Sequence, residues 1–363
     1  MTRTTDDIQE RPSFLPNNRE VATPRLAELA DDRELYGMIS QNAALNSAFK
    51  LNDKRNTRRN YNRELVVKAD AVTAITKAAH LGLPEQVMLT YAIDKFNQKP
   101  NHDSSKQVNF TLKDYMKDRG LKDPKSARNN IKKCLDTIAN TTYSYSGGDS
   151  KSPYNQSFGA HHILDYDYKR GKVTIDFSDF FFNLLVHGSM PMPNYRIMYR
   201  LDPLKDATTI YVLRALEKNK RINKPKSTNK SKKNNKAQAA APERGDRIKI
   251  STLFHDVASL SSYDKLKEGT DRHTYDRLIL PVFKAVERLA DPIDPNRAIN
   301  RYSFMSADNK PLSYDNIDFE TFSNAYLVIE EWHKYPEDIL KKWNDKQKQI
   351  RDRQKKQAAK KKK

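Results

Sequence analysis

The chain has 363 residues, 66 of them Lys or Arg and 46 Asp or Glu, which gives a formal net charge of +20. Its one cysteine excludes an internal disulfide framework and a cysteine-rich zinc site, and no apolar run approaches the roughly 20 residues that a membrane span needs. The N-terminus lacks the apolar stretch of a signal peptide, so the sequence predicts a cytoplasmic protein with no membrane partner.

Two lysine-rich segments carry nearly all of the excess positive charge. Residues 218–236 contain nine Lys or Arg and no acid, and residues 341–363 contain twelve against two acids, which together supply +19 of the +20. Such segments attract polyanions through counterion release without reading sequence. Solvating tails are the alternative interpretation.

The composition and length divide the chain into four parts. We expect a mostly disordered N-terminal arm at 1–63, a first domain at 64–187 and a second domain at 188–330. The second domain is interrupted by a flexible basic insertion at 219–246. A C-terminal helix and the lysine-rich tail follow at 331–363.

Two helices separated by a tight turn are predicted at 108–139, after a short strand. Thr111 begins the first helix as N-cap and Gly120 ends it, while Asp123 and Pro124 begin the second helix. Apolar residues at helical spacing predict the buried face of the second helix, namely Ala127, Ile131, Cys134, Leu135 and Ile138.

The opposite face of this second helix is basic and polar. Successive residues of a helix are rotated by about 100° around its axis. With this rotation the residues on that face or at its boundary are Lys125, Ser126, Arg128, Asn129, Lys132 and Lys133. A solvated helix face would explain them, but the elements that follow favour contacts with DNA.

Strands are predicted at 141–145 and on either side of "KRGK" (169–172), with a polar, glycine-containing loop at 146–160. Helix, turn, helix and then a hairpin is the order of a winged helix, whose second helix enters the DNA major groove. Lys151 and Tyr154 in the long loop are the predicted wing contacts of this domain.

The second half repeats the plan after a linker with glycine and prolines. It contains a helix at 204–219, a strand "DRIKI", a short helix, a longer helix at 270–290 and a hairpin that turns at "ADNKP" (307–311), where Lys310 is the predicted wing contact. The predicted fold is therefore α+β, with two tandem winged-helix domains.

The long helix of the second half has its own predicted faces. Its inner face consists of Tyr275, Leu278, Val282, Val286 and Leu289. The outward residues are the candidate DNA contacts Arg272, His273, Asp276, Arg277 and Lys284. Pro281 should kink the helix, because it removes one intrahelical hydrogen bond.

Catalytic alternatives find little support in the sequence. His161 and His162 are adjacent, so they point to opposite sides and do not chelate one ion together. No Gly-rich loop ending in Lys-Ser/Thr is present to cradle nucleotide phosphates. A primase-like site of Asp165, Asp167 and Asp176 is conceivable, but polar positions alternating with core positions explain these carboxylates. We expect no enzyme activity, no cofactor and no metal.

Four segments, in order, resemble the plasmid replication initiator proteins that are built from two tandem winged helices and bind iterons. They are "VVKADAVTAITKAAHLGLPEQVMLTYAIDKF" (66–96), "GKVTIDFSDFFFNLL" (171–185), "RLDPLKDATTIYVLRALEKN" (200–219) and "LILPVFKAV" (278–286). The chain departs from the family in its basic insertion and in Ala285, where the family commonly has an acid. Residues 54–63, "KRNTRRNYNR", lie outside the resemblance and are a candidate additional DNA-contacting arm.

The resemblance implies a non-catalytic initiator that binds repeated sites in double-stranded DNA, helps to open the origin and recruits host helicase or initiator proteins. It also implies a monomer–dimer equilibrium, repression of the protein's own gene and association with the plasmid or nucleoid. By analogy the second-domain helix contacts the groove, and Lys125, Arg128, Asn129 and Lys132 contact the neighbouring half of the site. The alternative is a winged-helix transcriptional regulator, or a phage or partition DNA-binding adaptor.

Overall fold

The computed structural model describes residues 35–52, 57–70, 72–99, 102, 104–145, 158–186, 188–223, 244–260, 273–313, 317–336 and 345. These residues form two compact units. Of the described residues, the first unit contains Met38–Pro191 and residue 345, and the second contains residues 35–37 and Met192–Pro336. The observed boundary lies after Pro191, slightly beyond the predicted end of the first domain at 187.

The first unit is a mixed helical and antiparallel unit. Its helices are α1 (Ala43–Phe49), α2 (Leu83–Asn97), α3 (Leu112–Arg119), α4 (Pro124–Ala139) and α5 (Asp179–Val186). Its strands are β2 (Thr57–Arg59), β3 (Leu65–Ala69), β4 (Val72–Thr76), β5 (Gln107–Thr111), β6 (Thr141–Tyr145), β7 (Phe158–Ala160), β8 (Ile163–Lys169) and β9 (Lys172–Phe177). Strands β1 (Tyr36–Gln41) and β10 (Met190–Tyr195) each run from one unit into the other.

Two antiparallel sheets organise the first unit. One has the strand order β2-β3-β4-β6-β7, and the other has the order β5-β9-β8. Strand β6 alternates buried and half-buried side chains, and its inner residues Tyr143 and Tyr145 join the core. The strand at 141–145 therefore belongs to a different sheet from the hairpin β8–β9, and only that hairpin follows the helix-turn-helix as its wing.

Helix α2 lies in the centre of the first unit and is buried along nearly its whole length. The ring of Tyr91 meets the rings of Phe110 and Tyr115 edge to face, each with a centroid distance of 5.2 Å. The buried carboxylate of Asp94 accepts the Met38 N–H at 2.9 Å. This hydrogen bond holds β1 against α2.

The prediction of a mostly disordered arm up to residue 63 is wrong for its described part. Helix α1 is capped by Asn42, whose Oδ1 accepts the Leu45 N–H at 2.8 Å. Ala44, Ala48 and Leu51 join the core cluster of the five-stranded sheet. Small residues pack closely there. Because the segment "AALNSAF" contains few large apolar residues, the sequence does not predict this packed helix.

The second unit repeats the order of helix, short helix, long helix and sheet. Its elements are α6 (Ile197–Arg200), α7 (Ala207–Ile222), a 3₁₀ turn (Arg244–Asp246), β11 (Arg247–Lys249), α8 (Ile250–Asp256), a π-helical turn (Tyr275–Ile279), α9 (Leu280–Leu289), β12 (Ile299–Met305), α10 (Phe319–Asn324) and β13 (Tyr326–Trp332). The sheet order is β11-β13-β12, with both pairs antiparallel. The α+β fold class is confirmed.

The predicted hairpin at "ADNKP" differs from the observed strand pairing. Among the described residues beyond the turn, β12 makes a single bridge, Met305 to Pro311, and its strand partner is β13. Helix α10 lies between β12 and β13 in the chain order, and its Phe322 is fully buried. Strand β13 also runs past the predicted domain end at 330. The predicted C-terminal helix and most of the basic insertion lie outside the described residues.

Candidate nucleic-acid interface

The turn between α3 and α4 is fixed by Gly120 and Asp123, which the sequence predicts to end α3 and to begin α4. Gly120 ends α3 with a φ of 63°, a left-handed conformation that favours glycine. Leu121 then donates its N–H to the Met116 carbonyl at 2.9 Å. Asp123 accepts the N–H groups of Lys125 and Ser126 at 3.0 and 3.1 Å, which caps the start of α4.

Helix α4 has the two faces that its sequence predicts. All five predicted inner residues are buried, and the solvent-exposed face contains Lys125, Ser126, Arg128, Asn129, Lys132 and Lys133. Burial raises the pKa of the Cys134 thiol, which is a packed side chain rather than a reactive one. Asn130 differs from Asn129, because its Oδ1 accepts the Tyr115 hydroxyl at 3.0 Å.

The wing strand β8 contacts the exposed face of α4 directly. The Tyr168 ring lies below two cations of that face, Arg128 with its Cζ 5.8 Å from the ring centroid and Lys132 with its Nζ 5.6 Å away. Nearer the end of α4, Tyr166 donates its hydroxyl to Asp136 at 2.6 Å. Aromatic residues of the wing therefore position the basic side chains of the helix.

The tip of the wing is the two-residue turn Arg170–Gly171. Their φ angles of 50° and 78° are both positive, as the tightest hairpin turns require. Lys169, Arg170 and Lys172 are exposed around this turn and form a basic tip. The sequence predicts a turn at "KRGK", but its side chains are not among the predicted DNA contacts. The predicted wing contacts are Lys151 and Tyr154, which lie outside the described residues.

In the second unit a π-helical turn precedes α9. The Leu280 N–H donates to the Tyr275 carbonyl, five residues back, and Pro281 follows with no N–H of its own. An extra residue in the turn is one way to accommodate a proline inside a helical segment. The expected irregularity at Pro281 is thus present as a π-helical turn.

This turn changes which residues face outward. His273, Asp276, Arg277 and Lys284 are exposed as predicted, whereas Tyr275 is 42% exposed and does not belong to the inner face. The wider turn rotates Tyr275 away from the buried side, where Ile279 and Ala285 pack in addition to the predicted residues. Lys310 is exposed in the turn after β12, and Arg272 lies outside the described residues.

The two adjacent histidines have opposite environments. His161 is exposed, whereas His162 is fully buried and stacks on Tyr143 and Phe181 with centroid distances of 3.6 and 4.3 Å. Burial, with a smaller effect of His161, lowers the pKa of His162 to about 3. Within the described ranges, no group of three His, Cys, Asp or Glu is arranged to hold a metal ion.

Among the helices of the described residues, none is both long enough and apolar enough to cross a membrane.

Comparison with known proteins identifies the first unit. Residues 65–190 match the family model described as "Initiator Replication protein, WH1". This match contains the helix-turn-helix, the wing and the five-stranded sheet from β3 onward, and it confirms the resemblance to the replication initiators. No curated protein sequence is significantly similar to the chain.

Two solved structures resemble the chain at low identity. A Pi initiator protein in complex with iteron DNA is 10% identical with a TM-score of 0.42, and the match covers 81% of this chain and 98% of that one. Domains 2 and 3 of RctB are 11% identical with a TM-score of 0.35, covering 88% of this chain and 97% of that one.

Proposed function

We propose that this chain, whose residues 65–190 carry the WH1 domain of the initiator replication proteins, is a sequence-specific DNA-binding protein that starts replication at repeated origin sites. The observation that carries the proposal is the exposed face of α4. Asp123 caps the start of this helix through two backbone N–H groups, and the wing residue Tyr168 contacts the side chains of Arg128 and Lys132 on this face. No catalytic step is assigned to the protein.

In this proposal α4 enters the major groove with its N-terminal half at the base edges. Arg128 and Asn129 suit guanine and adenine, because a guanidinium can pair with two acceptors of guanine and an amide with a donor and an acceptor of adenine. Lys169, Arg170 and Lys172 at the wing tip are placed to contact phosphates, which fix the register but carry no sequence information.

The second unit would read a neighbouring part of the same repeat. His273, Asp276, Arg277 and Lys284 are exposed on and beside α9, and Lys310 is exposed on a turn. Arg277 is the residue best suited to direct base recognition, since Asp276 beside it disfavours a purely phosphate contact. The lysine-rich insertion and tail would add affinity for any DNA.

The match of residues 65–190 to the initiator family model also supports proposals for further steps. We propose that binding to iterons of a plasmid origin helps to open the adjacent duplex and recruits host helicase or initiator proteins. A dimer would repress the protein's own gene, while the monomer would start replication. These steps require partners, which makes site recognition the first property to test.

The test is DNase footprinting of the full chain across the DNA that flanks its gene, at about 150 mM salt with competitor DNA, where non-specific binding is weak. Regularly spaced protection over direct repeats is the expected result. Protection of a single inverted repeat would indicate a transcriptional regulator. Uniform protection that disappears with salt would contradict sequence-specific binding altogether.

A further inference from the structure

The hairpin formed by β2 and β3 presents an aromatic ring and several arginines to solvent. All three residues of β2 are exposed, and the turn that follows carries Tyr61, which is 102% exposed. A tyrosine ring with this exposure gains no hydrophobic stabilisation from burial. The family model begins at residue 65, so the turn and β2 lie outside the match.

The turn is held by hydrogen bonds within the hairpin. The Asn60 N–H donates to the Glu64 carbonyl, and the Arg63 N–H donates to the Asn60 carbonyl at 2.9 Å. The Asn60 side chain accepts the Glu64 N–H and donates to the Glu64 carboxylate, both at 2.9 Å. Arg63 adopts a positive φ of 61°, which completes a three-residue hairpin loop. Tyr61 is therefore displayed by an ordered turn.

Arginines flank Tyr61 in the sequence, and basic side chains continue along one face of the hairpin. Arg58 pairs in register with Val66, and an open cleft beside this pair is lined by Arg58, Val66, Lys68 and Asp70. The carboxylate of Asp70 is already bound by Lys50 at 2.9 Å. Arg59 and Arg63 add two further exposed guanidinium groups, of which that of Arg59 donates to the Arg63 carbonyl at 2.9 Å.

We propose that the hairpin β2–β3 binds single-stranded DNA, with a base stacked on Tyr61 and phosphates bound by Arg58, Arg63 and Lys68. Proteins that bind single strands combine a basic surface with exposed aromatic rings, because unpaired bases have free faces. Bases inside a duplex are already stacked, so an exposed ring adds little to duplex binding. This inference rests on the proposed function, since an opened origin supplies such a strand.

The experiment measures binding of the full chain to a fluorescein-labelled thymidine 20-mer by anisotropy, at about 150 and 400 mM salt. We expect Tyr61→Ala to weaken binding by about fivefold or more, and Tyr61→Phe to stay within about twofold of the wild type. The ratio between wild type and Tyr61→Ala should persist at the higher salt, because stacking releases no counterions. Arg58→Ala and Arg63→Ala should instead reduce the salt dependence.

Duplex binding by the same variants separates this inference from the proposed function. Tyr61→Ala should leave binding to the protected duplex repeats unchanged. Equal affinities of wild type and Tyr61→Ala for the 20-mer, or an equal loss on the 20-mer and the duplex, would overturn the inference. Failure to protect duplex repeats, with a Tyr61-dependent affinity for the 20-mer retained, would overturn only the proposed function.

Discussion

Lys132 lies over the ring of Tyr168, with its Nζ 5.6 Å from the ring centroid. Arg128, one helical turn earlier, shares the same ring. The wing thus positions two cations of the face that we assign to DNA, and it does so through one aromatic side chain. A cation held over a ring loses less conformational freedom on binding than a freely rotating one.

Replacing Tyr168 should therefore weaken DNA binding although the residue carries no charge. We expect Tyr168→Ala to reduce the affinity for the specific duplex by about three- to tenfold, since Arg128 and Lys132 then lose more conformational freedom on binding, which costs about 0.5–1.5 kcal/mol for each fully immobilised side chain. Tyr168→Phe keeps the ring and should retain most of the affinity. Anisotropy titrations of both variants provide the measurement, and equal affinities of wild type and Tyr168→Ala would contradict the positioning role.

Arg277 is the second-unit residue that we expect to select a base. Arg277→Ala should relax the preference at one position of the site by about 1–3 kcal/mol while leaving the other positions intact. Arg288→Ala is the matched control on α9, because Arg288 is already bound to Asp294 at 3.1 Å. Binding to a library of single-base variants of the site measures both. A uniform loss across all sequences would instead indicate a phosphate contact for Arg277.

The lysine-rich tail should contribute affinity without specificity. Deletion of residues 341–363 removes twelve Lys or Arg and two acids. It is expected to weaken binding to all duplexes alike and to make the dependence on salt shallower. Affinities for the specific site and for random DNA at several salt concentrations give the comparison. A changed choice of site after the deletion would disprove this division between the tail and the helices.

The N-cap of α4 can be tested through stability. Asp123→Ala removes the acceptor of two backbone N–H groups and should lower the free energy of unfolding by about 1 kcal/mol. Asp123→Asn keeps a good capping side chain and should cost less than Asp123→Ala. Urea denaturation followed by circular dichroism measures the difference between the two variants. Equal free energies of unfolding for the wild type and Asp123→Ala would mean that the cap contributes little to the stability of the fold.

The helix-turn-helix could be predicted from sequence because its signals are local. Gly120, Asp123 and Pro124 each act within a few residues, and the spacing of apolar residues fixes the buried face of α4. The sheet partner of β6 could not be predicted in this way. It pairs with β4, so that Thr76 meets Thr141 across a long stretch of chain, and alternation alone does not identify a distant partner.

Two features of the candidate interface escaped sequence reasoning for related physical reasons. The outward position of Tyr275 depends on an extra residue in one helical turn, which regular helical spacing does not include. The basic tip at Arg170 depends on a tight turn with two positive φ angles, which closes β8 onto β9. In both cases the sequence shows the residue types, but the positions of the side chains depend on backbone geometry that the sequence does not show directly.

His162 should make the stability of the first unit depend on pH. Its ring is buried between Tyr143 and Phe181 and hydrogen-bonds the Tyr145 hydroxyl. Burial, with a smaller effect of His161, lowers its pKa to about 3, against about 6.5 for an exposed imidazole. Below pH 6.5 the unfolded chain therefore binds a proton that the folded chain does not bind, and stability falls as the pH decreases toward 3.

The slope that His162 contributes to the free energy of unfolding should approach about 1.4 kcal/mol per pH unit. The total loss from His162 should reach about 2 kcal/mol at pH 5. His162→Phe keeps an aromatic ring in the stack and removes the titrating group, so it should lose correspondingly less stability between pH 7 and pH 5. His161→Gln is the matched control, because His161 is exposed and its replacement should leave most of the fall in place. Urea denaturation of the three proteins at both pH values decides the matter. A fall in His162→Phe as large as that in the wild type would place the titrating group elsewhere in the chain.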